Sequence, residues 1–200
     1  MSITKADITT KYIIEKAAPI FNKKGYAATS MADITKATGL TKGAIYGNFE
    51  NEDAIAIAAF NKSVNDLLKQ IAQHQEQSNS PLQKLYLITD FYRNYYDYSK
   101  NLGGCPILNV GVNAHQQHTP LLNKVQEVIA RTQRNVAKLV TWGQEVGEIK
   151  PEVDANKFAR QLYTKIQGAV FMCHTMDDHQ YLVDATQEID SLITQELKSQ

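Results

Sequence analysis

The chain has 200 residues, 43% of them hydrophobic, and its 21 basic side chains balance its 21 acidic ones. That length suits one or two small domains, and the longest apolar runs fall far short of a membrane span. No basic-then-apolar leader opens the chain, and its two cysteines, Cys105 and Cys173, fit a reducing compartment better than a disulfide scaffold; a cytoplasmic protein with no membrane partner is expected.

Taken in chain order, nearly every segment has helical period and none reads convincingly as a strand. Ile14, Ala17 and Phe21 form one stripe, with Gly25 as its stop. Ser30-Met31-Ala32-Asp33 is a capping-box pattern and predicts a second helix running to about Thr38, where Gly39 offers a left-handed turn. Thr41 caps a short third helix that ends near Phe49, and Asn51 caps a long fourth carrying Ile57, Phe60, Val64, Leu67 and Ile71 in one stripe. Pro81 opens a fifth, with Leu85, Ile88, Tyr92 and Tyr95. A loop at Leu102-Gly103-Gly104 precedes a short apolar helix from Cys105 to about His115. Thr119-Pro120 begins a long helix that stops near Gly147. Asp154 caps an eighth through Phe171, and a ninth starts at about Asp178. Charge is uneven along this order: residues 1–49 hold seven Lys and no Arg against Asp7, Glu15 and Asp33, a net +4, which suggests a polyanion partner at that end.

Two short helices joined by a glycine turn are the helix-turn-helix pattern. Gly43-Ala44 keeps the second helix slim where it would approach DNA. Leu40, Ile45 and Phe49 are suited to pack against Ile34 and Ala37. Lys42, Tyr46 and Asn48 supply outward donors, and the helix N-terminus behind Thr41 favours a phosphate.

The run from Gly25-Tyr26 through Thr29-Ser30-Met31-Ala32-Asp33-Ile34, and then Ala37-Thr38-Gly39-Leu40-Thr41-Lys42-Gly43-Ala44-Ile45-Tyr46-Gly47-Asn48-Phe49, closely resembles the DNA-binding domain of the TetR family of transcriptional regulators. The resemblance covers roughly residues 8–55. Gly104-Cys105-Pro106-Ile107-Leu108-Asn109-Val110-Gly111 is similar to a C-terminal segment in one branch of that family. The resemblance implies an all-α fold of about nine helices: a three-helix DNA-binding domain over residues 1–50, joined by a long helix to a ligand-binding and dimerisation domain over 51–200. It implies phosphate contacts from Thr29 and Ser30, a groove entrance formed by Thr41, Lys42, Gly43 and Ala44, and DNA contacts from Tyr46 and Asn48. Two positions depart from the family. Gly47 replaces a longer base-reading side chain, and Glu52 replaces a frequent Lys; both changes remove DNA contacts. Glu50, Glu52 and Asp53 suit the start of the fourth helix electrostatically.

The function expected is a repressor, released from a near-palindromic double-stranded DNA operator by a small molecule. It would bind as a homodimer, its recognition helices entering successive major grooves about 34–36 Å apart. The effector expected is largely apolar or aromatic, in a pocket of Phe91, Tyr92, Tyr95, Cys105, Asn109, Asn113, Trp142, Phe171 and Met172, with Tyr92, Asn109, Asn113 and Trp142 for orientation and stacking. For any one of these residues, plain core is the simpler reading. The last two helices, which dimerise in the family, offer Phe158, Gln161, Leu162, Ile166, Gly168, Val170, Ile189 and Leu192 as an interface. No catalytic residue and no cofactor is expected: the sequence shows no nucleophile–base arrangement, no paired carboxylates at catalytic spacing and no phosphate-binding glycine loop. His115 and His118 have ligand-like spacing but no third ligand nearby, so no metal is expected. The alternative, raised by Gly47 and Glu52, is a family member with weak or lost DNA binding that acts as a sensing or protein-interaction module.

Overall fold

The structure is a computed structural model that describes residues 4–26, 28–114 and 119–199. The helices run α1 (Lys5–Lys24), α2 (Met31–Thr38), α3 (Lys42–Tyr46), α4 (Glu52–Gln75), α5 (Pro81–Arg93), α6 (Tyr95–Leu102), α7 (Pro106–Ala114), α8 (Thr119–Glu145), α9 (Ala155–Met176) and α10 (Gln180–Leu192), the last prolonged by a π-helical turn over Ile193–Leu197. Extended pairing among the described residues is limited to one antiparallel bridge, Ile149 to Lys198. The single fifth helix read from the sequence divides at Asn94, whose N–H donates to the Phe91 and Tyr92 carbonyls, so ten α-helices stand among the described residues where about nine were expected. No helix among the described residues is long and apolar enough to cross a membrane. His115 and His118 lie outside the described residues.

The chain forms two compact units, Met1–Leu67 with Leu102–Gln126, and Leu68–Asn101 with Glu127–Gln200; α4 and α8 give residues to both. In the first unit, α1 begins with a capping box in which Thr4 and Asp7 bond reciprocally. Its inward stripe of Ile13, Ala17 and Phe21 meets Met31 and Ile34 of α2, Ile45 of α3, Phe49, and Ile55 and Ala59 of α4 in one apolar cluster. Burying so much apolar area is the main favourable term for a unit this small.

The second unit is built on α9, α10 and α5. Asp154 caps α9 by accepting from the Lys157 N–H at 2.9 Å. Leu162, Ile166 and Val170 of α9 and Leu182 and Ile189 of α10 form a buried stripe. Glu148 closes the start of α5, accepting from the Ser80 hydroxyl at 2.6 Å and the Leu82 N–H at 3.0 Å. Across α5 and α10, Asp190 receives Arg93 at 2.6 Å and the Thr89 hydroxyl.

Candidate functional site

The turn between α2 and α3 is held from both sides. Gly39 sits at φ +69° and ψ 8°, the left-handed conformation that glycine adopts without steric cost. The buried Thr38 hydroxyl donates to the Ile34 carbonyl at 2.8 Å and accepts the Leu40 N–H at 3.2 Å. Tyr12 of α1 donates to the Thr38 carbonyl at 3.0 Å. Ile34, Ile45 and Phe49 are buried together, Leu40 packs against them half-buried, and Thr38, rather than Ala37, is the buried residue at the end of α2. The orientation of α3 against α2 is therefore fixed by packing and by hydrogen bonds.

The outward face of this pair divides into committed and available groups. Thr29 donates its hydroxyl to the Gly25 carbonyl at 2.8 Å. Ser30 donates to Asp33 Oδ2 at 2.9 Å and accepts the Asp33 N–H at 3.3 Å, so its side chain is spent on the α2 cap. Asn48 donates to the Ala44 carbonyl at 2.8 Å and accepts from the Thr10 hydroxyl at 3.1 Å, tying α3 to α1. Thr41 accepts the Ala44 N–H at 3.2 Å as the α3 cap. Lys42, Gly43, Ala44 and Tyr46 remain exposed around the start of α3. A side chain at Gly43 would meet nothing within 4 Å, and one at Gly47 only the ordinary-distance carbonyls of its own helix. Neither glycine is demanded by the fold; both leave the outward surface of α3 low.

Tyr46 is 43% exposed, and its hydroxyl donates to Glu52 Oε1 at 3.4 Å. Desolvation, and after it the Glu52 carboxylate, hold the phenol above its ordinary range, so it remains a donor at neutral pH. Asp53 is engaged elsewhere, receiving the Tyr26 hydroxyl. Asn51 caps α4 by accepting the Ala54 N–H at 2.9 Å. Of the three acids after α3, Glu52 is thus the one that receives a donor from α3.

The far end of α1 is clasped by two asparagines. Asn22, 6% exposed, donates to the Leu102 carbonyl at 2.6 Å and the Gly104 carbonyl at 2.9 Å. Asn109 donates to the Asn22 carbonyl at 3.1 Å and the Gly103 carbonyl at 2.9 Å. Gly103, at φ +84°, lies so close to α1 that a Cβ there would stand 2.3 Å from Lys23 Cγ. Sequence reasoning missed this clasp, as it missed the Tyr46–Glu52 pair. Polar contacts between residues far apart in the chain leave no periodic trace.

In the second unit a cavity of about 130 Å³ opens between α4, α5, α8 and α9. Ile71 and Ala72 of α4, Leu139 of α8, and Leu162 and Ile166 of α9 give it apolar walls. Tyr92 and Tyr163 add rings, and Gln75, Thr132 and Asn135 add polar groups. Of the residues expected to line one pocket, Tyr92 lines this one. Phe91 and Tyr95 meet Tyr92 edge-on or tilted, in a ring cluster with Tyr98. Cys105 and Asn109 belong to the first unit, where Cys105 is buried and Asn109 serves the clasp. Trp142 is 39% exposed in a shallow groove with Arg134 and Lys138. Phe171 is 49% exposed on α9, with Met172 half-buried beside it. The side chain of Asn113 lies outside the described residues. Aromatic composition therefore gathered residues that the fold distributes over two units and an outer surface. Neither cysteine is in a disulfide, and burial pushes the Cys173 thiol up to about 11, where it is inert at neutral pH.

The residues expected to form a partner interface also separate. Phe158, Leu162, Ile166, Val170 and Ile189 are buried in the protomer's own core, and Leu192 is half-buried. They are the strongest apolar stripe of an amphipathic helix, which its own chain uses first. Gln161 and Gly168 face outward, on a surface of α9 shared with Thr164, Phe171 and Thr175. Lys165 pairs with Glu188 of α10 at 3.1 Å beside it. Gly168 lies within α9, where nothing stands within 4 Å of a Cβ, so the protomer itself has no need of a glycine there.

The sequence pattern described as bacterial regulatory proteins of the tetR family matches residues 13–59, and that described as the tetracyclin repressor-like C-terminal domain matches residues 81–189. A TetR-family transcriptional regulator of Cytophaga hutchinsonii is 32% identical, with a TM-score of 0.93 and full coverage of both chains. A TetR transcriptional regulator of Chloroflexus aurantiacus is 31% identical, with a TM-score of 0.91 over 98% of this chain and 99% of its own. The HTH-type transcriptional repressor DhaR of Mycobacterium sp. is 24% identical over 160 residues, 80% of this chain and 79% of its own.

Proposed function

We propose, for a chain that belongs to the TetR family of transcriptional regulators, that it is a cytoplasmic repressor that holds a near-palindromic operator as a homodimer and leaves it when a small molecule enters its second unit. The observation that carries this reading is the exposed start of α3. Lys42, Gly43 and Ala44 are exposed there, as is the Tyr46 ring beside Glu52, on a helix whose other face packs against α2. DNA recognition is assigned to residues 1–50, and effector binding and dimerisation to residues 51–200. Lys42 and the Thr41 cap approach phosphates, and Tyr46 contacts a phosphate or a thymine methyl. Thr29 and Ser30 serve chiefly to hold these groups in place, since their hydroxyl hydrogens are already donated within the protein; Asn48 ties α3 to α1 and keeps one amide hydrogen for a phosphate.

Each five-residue α3 reaches only a few base pairs, so two copies are needed for useful affinity. The outward face of α9, with Gly168 and Phe171, is the surface assigned to the second copy. A small residue there lets two helices approach closely, and a half-exposed phenyl ring gains from being covered. Effector release then follows if the ligand binds better to the dimer whose two α3 helices are wrongly spaced; a ligand indifferent to that spacing shifts nothing. One observation favours weaker DNA binding: Glu52 places a carboxylate next to the Tyr46 donor.

The reading is tested by titrating a mixed-sequence duplex pool at low salt with wild-type protein and Lys42→Ala. Wild type binds with a steep salt dependence, and Lys42→Ala lowers the log–log slope by about one. Absence of binding at low salt contradicts the repressor reading, and an unaltered slope removes Lys42 from the phosphate contacts.

A further inference from the structure

Resting on the reading of the second unit as the effector-binding part, we propose that its cavity takes an uncharged single-ring aromatic molecule carrying a hydroxyl donor, a phenol in chemical class. Size comes first. The cavity holds about 130 Å³, close to the roughly 150 Å³ apolar cavity that accepts benzene. A fused polycycle or a long acyl chain exceeds it.

Charge comes next. No charged side chain among the described residues lines the cavity. A carboxylate or ammonium entering it loses its water and gains no counter-ion, which is strongly unfavourable. The rings of Tyr92 and Tyr163, against the aliphatic walls of α4, α8 and α9, instead suit an aromatic guest that packs edge-on or offset.

Hydrogen-bond polarity then selects the substituent. Thr132 donates its hydroxyl proton to the Val128 carbonyl at 2.9 Å. Its oxygen keeps a lone pair and can only accept from a guest. Gln75 donates one of its two amide hydrogens to the Lys84 carbonyl at 3.1 Å; its carbonyl oxygen is a second acceptor and its other N–H a donor. The exposed Asn135 lies where the cavity meets solvent and offers both functions. A phenol, whose hydroxyl both donates and accepts, meets both functions of this lining; a ketone or ester only accepts and leaves the Thr132 oxygen unmatched.

The test is calorimetry and thermal denaturation of the full chain, without DNA, against p-cresol, benzoate and palmitate. The expected result is saturable binding of p-cresol with a raised melting temperature, and binding of benzoate and palmitate weaker by about tenfold or more. Ile166→Phe, at a buried wall, narrows the cavity and weakens p-cresol binding, with folding checked by circular dichroism. Thr132→Val keeps the shape, removes the acceptor and weakens p-cresol by about three- to tenfold. Benzoate or palmitate binding as tightly as p-cresol overturns the assignment, as does p-cresol binding that neither variant changes. Operator occupancy is measured separately. Binding of p-cresol without release of DNA counts against effector control and leaves this assignment standing; release by another molecule, with no p-cresol binding, does the reverse.

Discussion

At the scale of single residues, the recognition face comes down to a competition at Tyr46. Its hydroxyl leans on Glu52 at 3.4 Å, a long hydrogen bond between exposed side chains that a phosphate can displace. Removing the ring removes the contact. Tyr46→Ala is expected to weaken operator binding by about 1.5–3 kcal/mol, the range for a hydrogen bond to a charged group, without altering dimerisation. Glu52→Lys acts in the opposite direction: it frees Tyr46, removes a repulsive charge and adds a cation. Fluorescence anisotropy on one operator duplex should show higher affinity and a steeper salt slope for Glu52→Lys. Equal affinities for wild type and both variants would mean that this end of α3 does not face DNA.

At the scale of elements, α2 depends on its cap. Lys24, donating to Asp33 at 2.5 Å, and then Ser30, through its backbone and side chain, hold the Asp33 carboxyl down at about 2. A carboxylate depressed in the folded state contributes stability that is fully present above its unfolded value near 4 and is lost as pH falls through the folded value. The melting-temperature advantage of wild type over Asp33→Asn should therefore be constant above about pH 5 and shrink between pH 4 and pH 2; an advantage that persists unchanged at pH 2 would mean the cap does not depend on the charge. Caps of this kind were legible in the sequence, because Ser30-Asp33, Thr41, Asn51 and Asp154 act within three residues of themselves. The break at Asn94 was not, since no glycine or proline marks it and the tyrosines on either side continue the stripe. The cavity was legible only at Tyr92. Its other walls are mostly aliphatic residues that look like any core, with Tyr163 and three polar side chains that carry no pattern of their own, while Trp142 and Phe171, the conspicuous aromatics, stand on outer surfaces. Most of the residues expected at a partner interface are buried in the protomer's own core, because an apolar stripe serves the chain's own packing first, while the outward face of α9 mixes polar and apolar residues.

At the scale of the whole molecule, the proposed reading needs two copies, and Gly168 is the position at which folding and assembly can be tested apart. Replacing an exposed helical glycine by leucine should strengthen α9 by roughly 0.5–1 kcal/mol, since leucine is the better helix former and the space around position 168 is open in the protomer. The same side chain blocks the close approach of a second α9. Gly168→Leu is thus expected to melt no lower as a protomer yet to dissociate at least about tenfold more readily in sedimentation equilibrium, with operator affinity falling in step. An undisturbed dimer would move the interface off this face. The central claim, that paired α3 helices read a two-fold DNA site, is tested most directly by selecting binding sites from random duplexes at low salt with the purified full chain. The account predicts one enriched near-palindrome whose half-site centres lie about 34–36 Å apart, or a multiple of that. No enriched sequence, or a single unpaired half-site, would contradict it.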